Sequence, residues 1–299
     1  MTDMNMPDRW MNEGNLVEHL SGQLLQGRLG LFLGAGVSIP FGLPSWQELV
    51  RSVAEEAGDT NLAENFDPIK KAGAIKIKYF SESKDFNAAV SRALYRGRTL
   101  DFAEISQNKM LQAIGSLVMS SRRGSAAKVF TLNFDDLLEL YLEFHGFTTA
   151  VIHDGCHWAQ NEDVVIYHPH GYLPLGHDDA SSEIVLGTSD FHNVMASDQW
   201  RPVIQTALRQ HTFLYIGLSG EDMHLHSHWN GLSQLHAISG DRVCYHGVRF
   251  KVGDGEDDLE LLTRNWGIHT HGLADYNQLP DFLFKICQRA RELRMQPTS

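Results

Sequence analysis

Short apolar segments that alternate with helical segments constrain the fold of this chain more than any other feature. The segment 27–33 is apolar almost throughout, as is typical of a parallel strand that is covered on both faces. Further strands are predicted at 128–132, 149–152, 164–167, 184–186, 212–216 and 242–246. Helices are predicted at 15–26, 46–56, 135–145, 197–209 and 279–294. This alternation predicts an α/β fold with a Rossmann-like, doubly wound and mainly parallel sheet.

One stretch of the chain departs from the alternation. Region 57–126 carries apolar residues at three- and four-residue spacing, as at 86–94 and 110–119, and no strand pattern. We interpret it as a helical insertion module that packs beside the sheet. The expected organisation is a single domain at 15–299 that follows a flexible N-terminus at 1–14.

Three short motifs each follow a predicted strand. They are Gly34-Ala35-Gly36-Val37-Ser38, Thr131-Leu132-Asn133-Phe134-Asp135 and His168-Pro169-His170-Gly171. Ligands of doubly wound sheets bind beyond the carboxyl ends of the strands. We therefore expect a nucleotide loop, a carboxamide and an imidazole to meet at the tips of three neighbouring strands.

The first motif predicts a phosphate-binding loop. Gly34 and Gly36 permit a positive φ and a close approach of the backbone to a pyrophosphate, whose charge the following helix N-terminus can accept. The third glycine of the dinucleotide fingerprint is replaced by Ile39, so the loop alone is weak evidence. A second small-residue turn, with Gly217 and Ser219, follows the strand predicted at 212–216. The predicted cofactor-binding residues are Gly34, Ala35, Gly36, Ser38, Asp135, Gly217 and Ser219.

The second and third motifs supply the candidate catalytic residues, Asn133 and His170. Asp135 or Asp136 can cap the helix that follows, and capping is the favoured role for Asp135. Asn133 is then left to point into the cleft. His170 lies between a proline and a glycine, and its ordinary pKa of roughly 6.5 suits a general base near neutral pH.

Composition excludes several other classes of protein. Lys and Arg total 25 against 37 Asp and Glu, and this net charge of −12 argues against nucleic-acid binding by the chain alone. The three cysteines are isolated and odd in number, which favours a reducing, cytoplasmic compartment. No signal-peptide pattern or membrane span is found.

Metal binding is not expected either. The chain has no CxxC pair, which a four-thiolate zinc site would require. His224 and His228 are four residues apart, but no third ligand accompanies them. The tryptophans Trp46, Trp158, Trp200, Trp229 and Trp266 are interpreted as core residues.

Read in order, the motifs resemble those of the sirtuin-like (silent information regulator) family over roughly residues 27–275. The glycine loop with Gly42-Leu43-Pro44 resembles the first nucleotide motif of that family, and the segment ending at Asp135 resembles its asparagine motif. His170-Gly171 is similar to its His-Gly motif, and Gly217-Leu218-Ser219 to its later Gly-x-Ser loop. The resemblance implies that NAD binds here as a substrate.

Two departures narrow that resemblance. Sirtuin deacylases carry Asp-Phe-Arg after this proline, where the present chain has Ser45-Trp46-Gln47. They also carry a four-cysteine zinc module after the His-Gly pair, where residues 172–182 are short and free of cysteine. The chain is therefore more similar to the prokaryotic branch that hydrolyses NAD in anti-phage defence. That similarity implies NAD+ glycohydrolase activity, a homo-oligomer and a partner such as a translocase-type ATPase or another defence sensor.

Three alternatives remain open at this point. The same pocket could serve a catalytically silent sensor of NAD or ADP-ribose, a protein deacylase with a divergent peptide cleft, or an inactive subunit of a larger complex. Time-dependent release of nicotinamide separates an enzyme from a sensor. A deacylase would consume NAD only with an acylated peptide.

Overall fold

The centre of the fold, in a computed structural model of the chain, is a seven-stranded sheet. The structure describes residues 12–59, 64, 66–119, 124–154, 161–176, 183–196, 199–218, 225–229, 246–253 and 266–295. The strands are β1 (Leu29–Leu33), β2 (Lys128–Thr131), β3 (Thr149–Ile152), β4 (Val164–Tyr167), β5 (Thr212–Ile216), β6 (Gly247–Val252) and β7 (Ile268–Leu273). Their order across the sheet is β3-β4-β2-β1-β5-β6-β7, and every neighbouring pair is parallel. The predicted α/β class with a doubly wound, parallel sheet is confirmed.

Helices cover both faces of this sheet. They are α1 (Glu13–Leu25), α2 (Trp46–Glu56), α3 (Pro68–Tyr79), α4 (Ser83–Leu94), α5 (Phe102–Gln107), α6 (Lys109–Val118), α7 (Leu137–Phe144), α8 (Thr188–Ala196), α9 (Trp200–Gln210) and α10 (Leu279–Met295). Helix α2 begins with a capping box, in which Ser45 and Glu48 satisfy each other's backbone N–H groups. No helix of the described segments is long and apolar enough to cross a membrane.

Two apolar clusters lie on opposite faces of the sheet. Leu31 and Leu33 of β1 face a cluster completed by α1, α6, α7 and α10. Phe32, between them, faces a cluster completed by α9, where it stacks on Phe130 with 4.8 Å between the ring centroids. Because successive side chains of a strand point to opposite faces, a strand covered on both sides must be apolar at every position. All five residues of β1 are buried.

A third cluster joins helices α2, α3 and α4 to the loops beyond the sheet. Their side chains pack against Phe134, which follows β2, and against Leu173, Ile184 and Leu186, which follow β4. The helices of region 57–126 therefore divide between two places. Helices α3 and α4 lie over the carboxyl edge of the sheet, whereas α6 packs against α7 and α10 on one face.

Several predicted elements differ from the structure. The strand predicted at 184–186 is wrong: this apolar segment is buried by the third cluster instead of by neighbouring strands, and it forms no strand. Strand β7 is absent from the sequence prediction because its sequence, Ile-His-Thr-His-Gly-Leu, is mostly polar or small. Helix α8 is also absent from that prediction. Most of the strand predicted at 242–246 and of the N-terminus at 1–14 lies outside the described residues.

Candidate active site

The motifs follow four strands that are adjacent in the sheet, in the order β4-β2-β1-β5. The register aligns Leu33 at the end of β1 with Thr131 of β2 and with Ile216 of β5. Phe130 of β2 is aligned with Tyr167 at the end of β4. The chain therefore leaves the sheet at one edge into the glycine loop, the asparagine motif, the histidine motif and the Gly217 turn.

The two glycine turns pack against each other through their backbones. The Gly36 N–H donates to the Gly217 carbonyl at 2.9 Å, and the Gly34 N–H donates to the Ile216 carbonyl at 2.9 Å. A Cβ on Gly36 would lie 2.7 Å from the Gly217 Cα. Gly217 has φ +72°, and a Cβ there would lie 2.8 Å from both the Gly34 carbonyl oxygen and the Val37 nitrogen. The close approach that requires these glycines is therefore one between two loops of the same chain.

This packing corrects the expectation for the glycine loop. Gly34 is extended, with φ −135° and ψ −176°, and neither it nor Gly36 has a positive φ. Two 3-10 turns, Ala35–Val37 and Ile39–Phe41, follow instead of an α-helix, since α2 begins only at Trp46. Most backbone donors of 34–38 bond within the chain. Of this loop, as the structure describes it, the Ala35 N–H is the donor left for a ligand.

Asn133 is bonded directly to the glycine loop. Its Nδ2 donates to the Gly34 carbonyl at 3.1 Å and to the Ser38 Oγ at 2.9 Å, and its backbone N–H donates to the Thr131 Oγ1 at 3.1 Å. The carboxamide nitrogen of Asn133 is therefore held by the glycine loop. Its Oδ1 accepts no hydrogen bond from any residue that the structure describes, and this oxygen is the atom available to a ligand.

Asp135 completes a buried network with Ser38 and helix α7. The Ser38 hydroxyl donates to the Asp135 Oδ2 at 2.7 Å, and the Leu137 N–H donates to its Oδ1 at 3.3 Å. The N-cap residue of α7 is Asp136, which makes no side-chain capping bond, so Asp135, one residue earlier, binds the first N–H of the helix and also fixes the loop serine. Burial raises the pKa of Asp135 to about 6, against the opposing effect of these two hydrogen bonds. The nearby carboxyls of Glu139 and Asp136 raise it further.

His170 lies beneath aromatic side chains at the same edge. Its ring is fully buried, with the ring centroid of Phe191 at 5.2 Å and that of Trp46 at 6.2 Å, both edge-on. Desolvation lowers the pKa of His170 to about 3, although a hydrogen bond with the Leu132 backbone opposes this shift. The expected pKa near 6.5 is therefore corrected: this imidazole is neutral throughout the physiological range.

His168, two residues earlier, is buried in a different set of contacts. Its Nε2 lies 2.7 Å from the Glu139 Oε1, and its Nδ1 lies 3.1 Å from the Asn133 carbonyl oxygen. Sequence reasoning did not identify four residues of this site. They are Trp46, Phe191, Glu139 and His168, the first histidine of the motif that contains His170. Trp46 follows Gly42-Leu43-Pro44 and Ser45, and its place directly after this predicted loop is the sequence signal that would have identified it as a site residue.

The remaining predicted positions are only partly described. Ser219 and His224 lie outside the described residues. Within the described ranges, no group of three or more His, Cys, Asp or Glu side chains could hold a metal ion. Gly34, Ala35, Gly36, Ser38, Asn133, Asp135, His170 and Gly217 all lie at the carboxyl edge of the sheet.

Residues 127–270 match the family model described as the SIR2-like domain. The sirtuin-like resemblance is therefore confirmed for this part of the chain.

Two individual proteins extend this assignment. The crystal structure of a Sir2 homolog–NAD complex has a TM-score of 0.50 and 15% identity over 95% of either chain, which is a likeness of fold. The NAD(+) hydrolase ThsA of Enterococcus faecium is 24% identical over 222 residues. That alignment covers 72% of this chain and 42% of ThsA, so the chain spans less than half the length of this relative.

Proposed function

We propose that the chain is an NAD hydrolase that cleaves the bond between nicotinamide and ribose. The observation that carries the proposal is the direct bonding of Asn133 to the glycine loop, one strand away from His170. In this arrangement, the proposed nucleotide-binding loop and the side chains of Asn133 and His170 lie at the same edge of the sheet. The name of the relative ThsA and the NAD complex of the Sir2 homolog support the same substrate.

In the proposed reaction, the C1′–N bond breaks and its electron pair passes to the pyridinium nitrogen, which leaves as neutral nicotinamide. A water oxygen then bonds to C1′, and one water proton is released, so the products are nicotinamide, ADP-ribose and a proton. Because the leaving group is neutral, the site needs no general acid. It must orient the ribose and the water and accept a proton.

The residues divide these tasks by their contacts. The Asn133 Oδ1 accepts from a ribose hydroxyl or from the attacking water, because its nitrogen is already bonded to the loop. His170, already neutral, accepts the proton from that water or hydroxyl. The negative phosphates of a bound dinucleotide would stabilise the protonated imidazole, and this effect would raise the pKa of His170 against the lowering by desolvation. The Ala35 N–H is the backbone donor that we assign to a phosphate oxygen.

The biological setting is part of the same proposal. We infer an effector of anti-phage defence that acts in the cytoplasm as a homo-oligomer, with a partner such as a translocase-type ATPase or another defence sensor. The similarity to ThsA supports an NAD-consuming role of this kind. We also assign water, and not an acylated peptide, as the acceptor of the ADP-ribosyl group.

The test is to incubate the purified protein with NAD, with and without an acylated peptide, and to quantify nicotinamide and ADP-ribose. Nicotinamide release without peptide is expected. His170→Ala should lower the rate by about 10²–10⁴, the usual effect of losing a general base. The matched control is His211→Ala, which removes a histidine adjoining the amino end of β5, at the opposite edge of the sheet. A His170→Ala variant that retains the wild-type rate would refute the catalytic assignment.

A further inference from the structure

Glu139 and His168 form a buried pair that the proposed chemistry leaves unused. Glu139 lies on α7 and is 3% exposed, whereas His168 follows β4 and is fully buried. The His168 Nε2 and the Glu139 Oε1 are 2.7 Å apart, a distance typical of a charge-assisted hydrogen bond. The pair lies at the edge of the sheet that carries the candidate site, beside the chain segment that contains Asn133.

The contacts of the imidazole determine where its protons lie. The His168 Nδ1 faces the Asn133 carbonyl oxygen at 3.1 Å, and a carbonyl oxygen only accepts hydrogen bonds. The ring therefore keeps a hydrogen on Nδ1 and donates it to Asn133. The Nε2 faces the Glu139 Oε1 at 2.7 Å, and this contact orients the ring as a carboxylate orients a metal-binding or catalytic histidine.

The pair is not an efficient way to stabilise the fold. Desolvation of two charged groups offsets most of their mutual attraction, so an apolar pair of similar size is often equally stable. In addition, the Glu139 Oε2 is buried and has no partner among the residues that the structure describes. The specific effect of the pair is geometric, because it holds one carbonyl oxygen in a fixed position.

That carbonyl belongs to the residue whose position matters most for the proposed reaction. Asn133 is held by its backbone N–H on Thr131, by its side-chain nitrogen on Gly34 and Ser38, and by its carbonyl on His168. With these atoms held, the covalent geometry of Asn133 fixes the position of its Oδ1. Removal of the carbonyl anchor would allow the whole residue to turn, and it would release the glycine loop that the side chain holds.

We propose that Glu139 and His168 are positioning residues, which act through the Asn133 carbonyl to fix the carboxamide oxygen and the glycine loop. This inference rests on the proposed function for the role of Asn133 in catalysis. It does not depend on that function for the structural link itself. The two parts can therefore be tested separately.

The main variant is the double substitution Glu139→Leu with His168→Phe, which removes both members and avoids a lone buried charge. The control is Leu142→Ala, which creates a cavity at a fully buried position of the same helix and leaves both members of the pair in place. Hydrogen exchange of the backbone amides of 34–38 is compared between the two variants. We expect faster exchange in the double variant, by about tenfold or more, and no such change in the control.

Activity gives the second readout. A displacement of about 1 Å in a positioning group lowers the rate of the chemical step by up to about 10²-fold. The double variant should therefore lose kcat by at least about tenfold, and its KM for NAD should rise as well, because the released glycine loop carries the Ala35 N–H that we assign to a phosphate. Glu139→Gln can donate an amide N–H to the Nε2 of a neutral His168 whose hydrogen stays on Nδ1, and it should lose much less activity than the double variant. An unchanged kcat in the double variant, or a loss in Glu139→Gln as large as that in the double variant, would overturn the positioning role.

The wild-type protein itself supplies a check that needs no variant to fold. Nitrogen-15 NMR of the imidazole should show a hydrogen on the Nδ1 of His168, and an unprotonated Nδ1 would overturn the inference. If the wild type releases no nicotinamide, the proposed function fails, whereas the structural link is still decided by exchange and by the imidazole tautomer. If nicotinamide is released but loop exchange is unchanged in the double variant, the positioning inference alone fails.

Discussion

Replacement of Asp135 by asparagine should make the protein more stable at neutral pH and less able to bind NAD. The buried carboxyl has a pKa of about 6 in the folded chain, against an ordinary value of 3.8. The folded state therefore binds the proton more tightly than the unfolded state does. Stability from this group is present at low pH and is lost as pH rises from about 4 to about 6. Above pH 6, the difference corresponds to about 3 kcal/mol.

The substitution also has a cost, which follows from the hydrogen bonds. The carboxylate accepts from the Ser38 hydroxyl with one oxygen and from the Leu137 N–H with the other. An amide has one oxygen, so one of these bonds is lost, at about 1 kcal/mol. Asp135→Asn should then gain about 2 kcal/mol of unfolding free energy at pH 8, and it should be about 1 kcal/mol less stable near pH 4.

The assay is urea unfolding of the wild type and the variant at several pH values between 4 and 8. The difference in unfolding free energy should change sign within this range, with the steepest change between pH 4 and pH 6. Calorimetry with NAD at pH 8 measures the accompanying loss of affinity, because Ser38 loses its charged partner. A difference in stability that does not vary with pH would refute the assignment of a raised pKa to Asp135.

Two further predictions concern the glycine turn and the buried histidine. Gly217→Ala would force a φ of +72° on an L-residue and push a Cβ against Gly34 and Val37, so unfolding should become easier by at least about 1–2 kcal/mol. Gly22→Ala, in α1, would place a Cβ where no other atom lies within 4 Å, and it should instead stabilise the fold by about 0.5–1 kcal/mol. Equal effects of the two substitutions would contradict the loop-packing argument. Because the pKa of His170 is about 3, its ring proton signal should not titrate between pH 8 and pH 5. An NMR midpoint near 6.5 for this signal, identified by its loss in a variant lacking the imidazole, would contradict its burial.

The sequence predicts the strand ends and the motifs well because both are local patterns. An apolar run followed by a glycine or a polar residue marks the end of a buried parallel strand. This rule is correct at Leu33 and Ile216, and it is one residue late for β2, which ends at Thr131 and not at Leu132. The same kind of pattern fails at 184–186, where the burying partners are helices that precede it by about a hundred positions. Apolar character alone does not distinguish these two surroundings.

The contacts that form the site join residues that are far apart in the sequence, and no local pattern predicts such contacts. Ser38 and Asp135 are 97 positions apart, and Glu139 and His168 are 29 apart. The sequence identified Asn133 as a polar group at a strand end, but not that its nitrogen holds the glycine loop. The histidine pKa likewise depends on Trp46 and Phe191, which reach it from two other elements of the fold.

Two properties of this site, the positions of its polar atoms and the basicity of its buried histidine, are set by different parts of the fold. The strand ends and their loops fix where polar atoms lie, whereas α2 and α8 provide the dry surroundings of His170 through Trp46 and Phe191. Helix α8 is in turn tied to α3 by the Lys76–Asp190 ion pair of 2.9 Å. A shift of these helices would admit water and make the imidazole more basic without moving a single strand. The basicity of the site is thus a property of the helical layer, adjustable independently of the sheet.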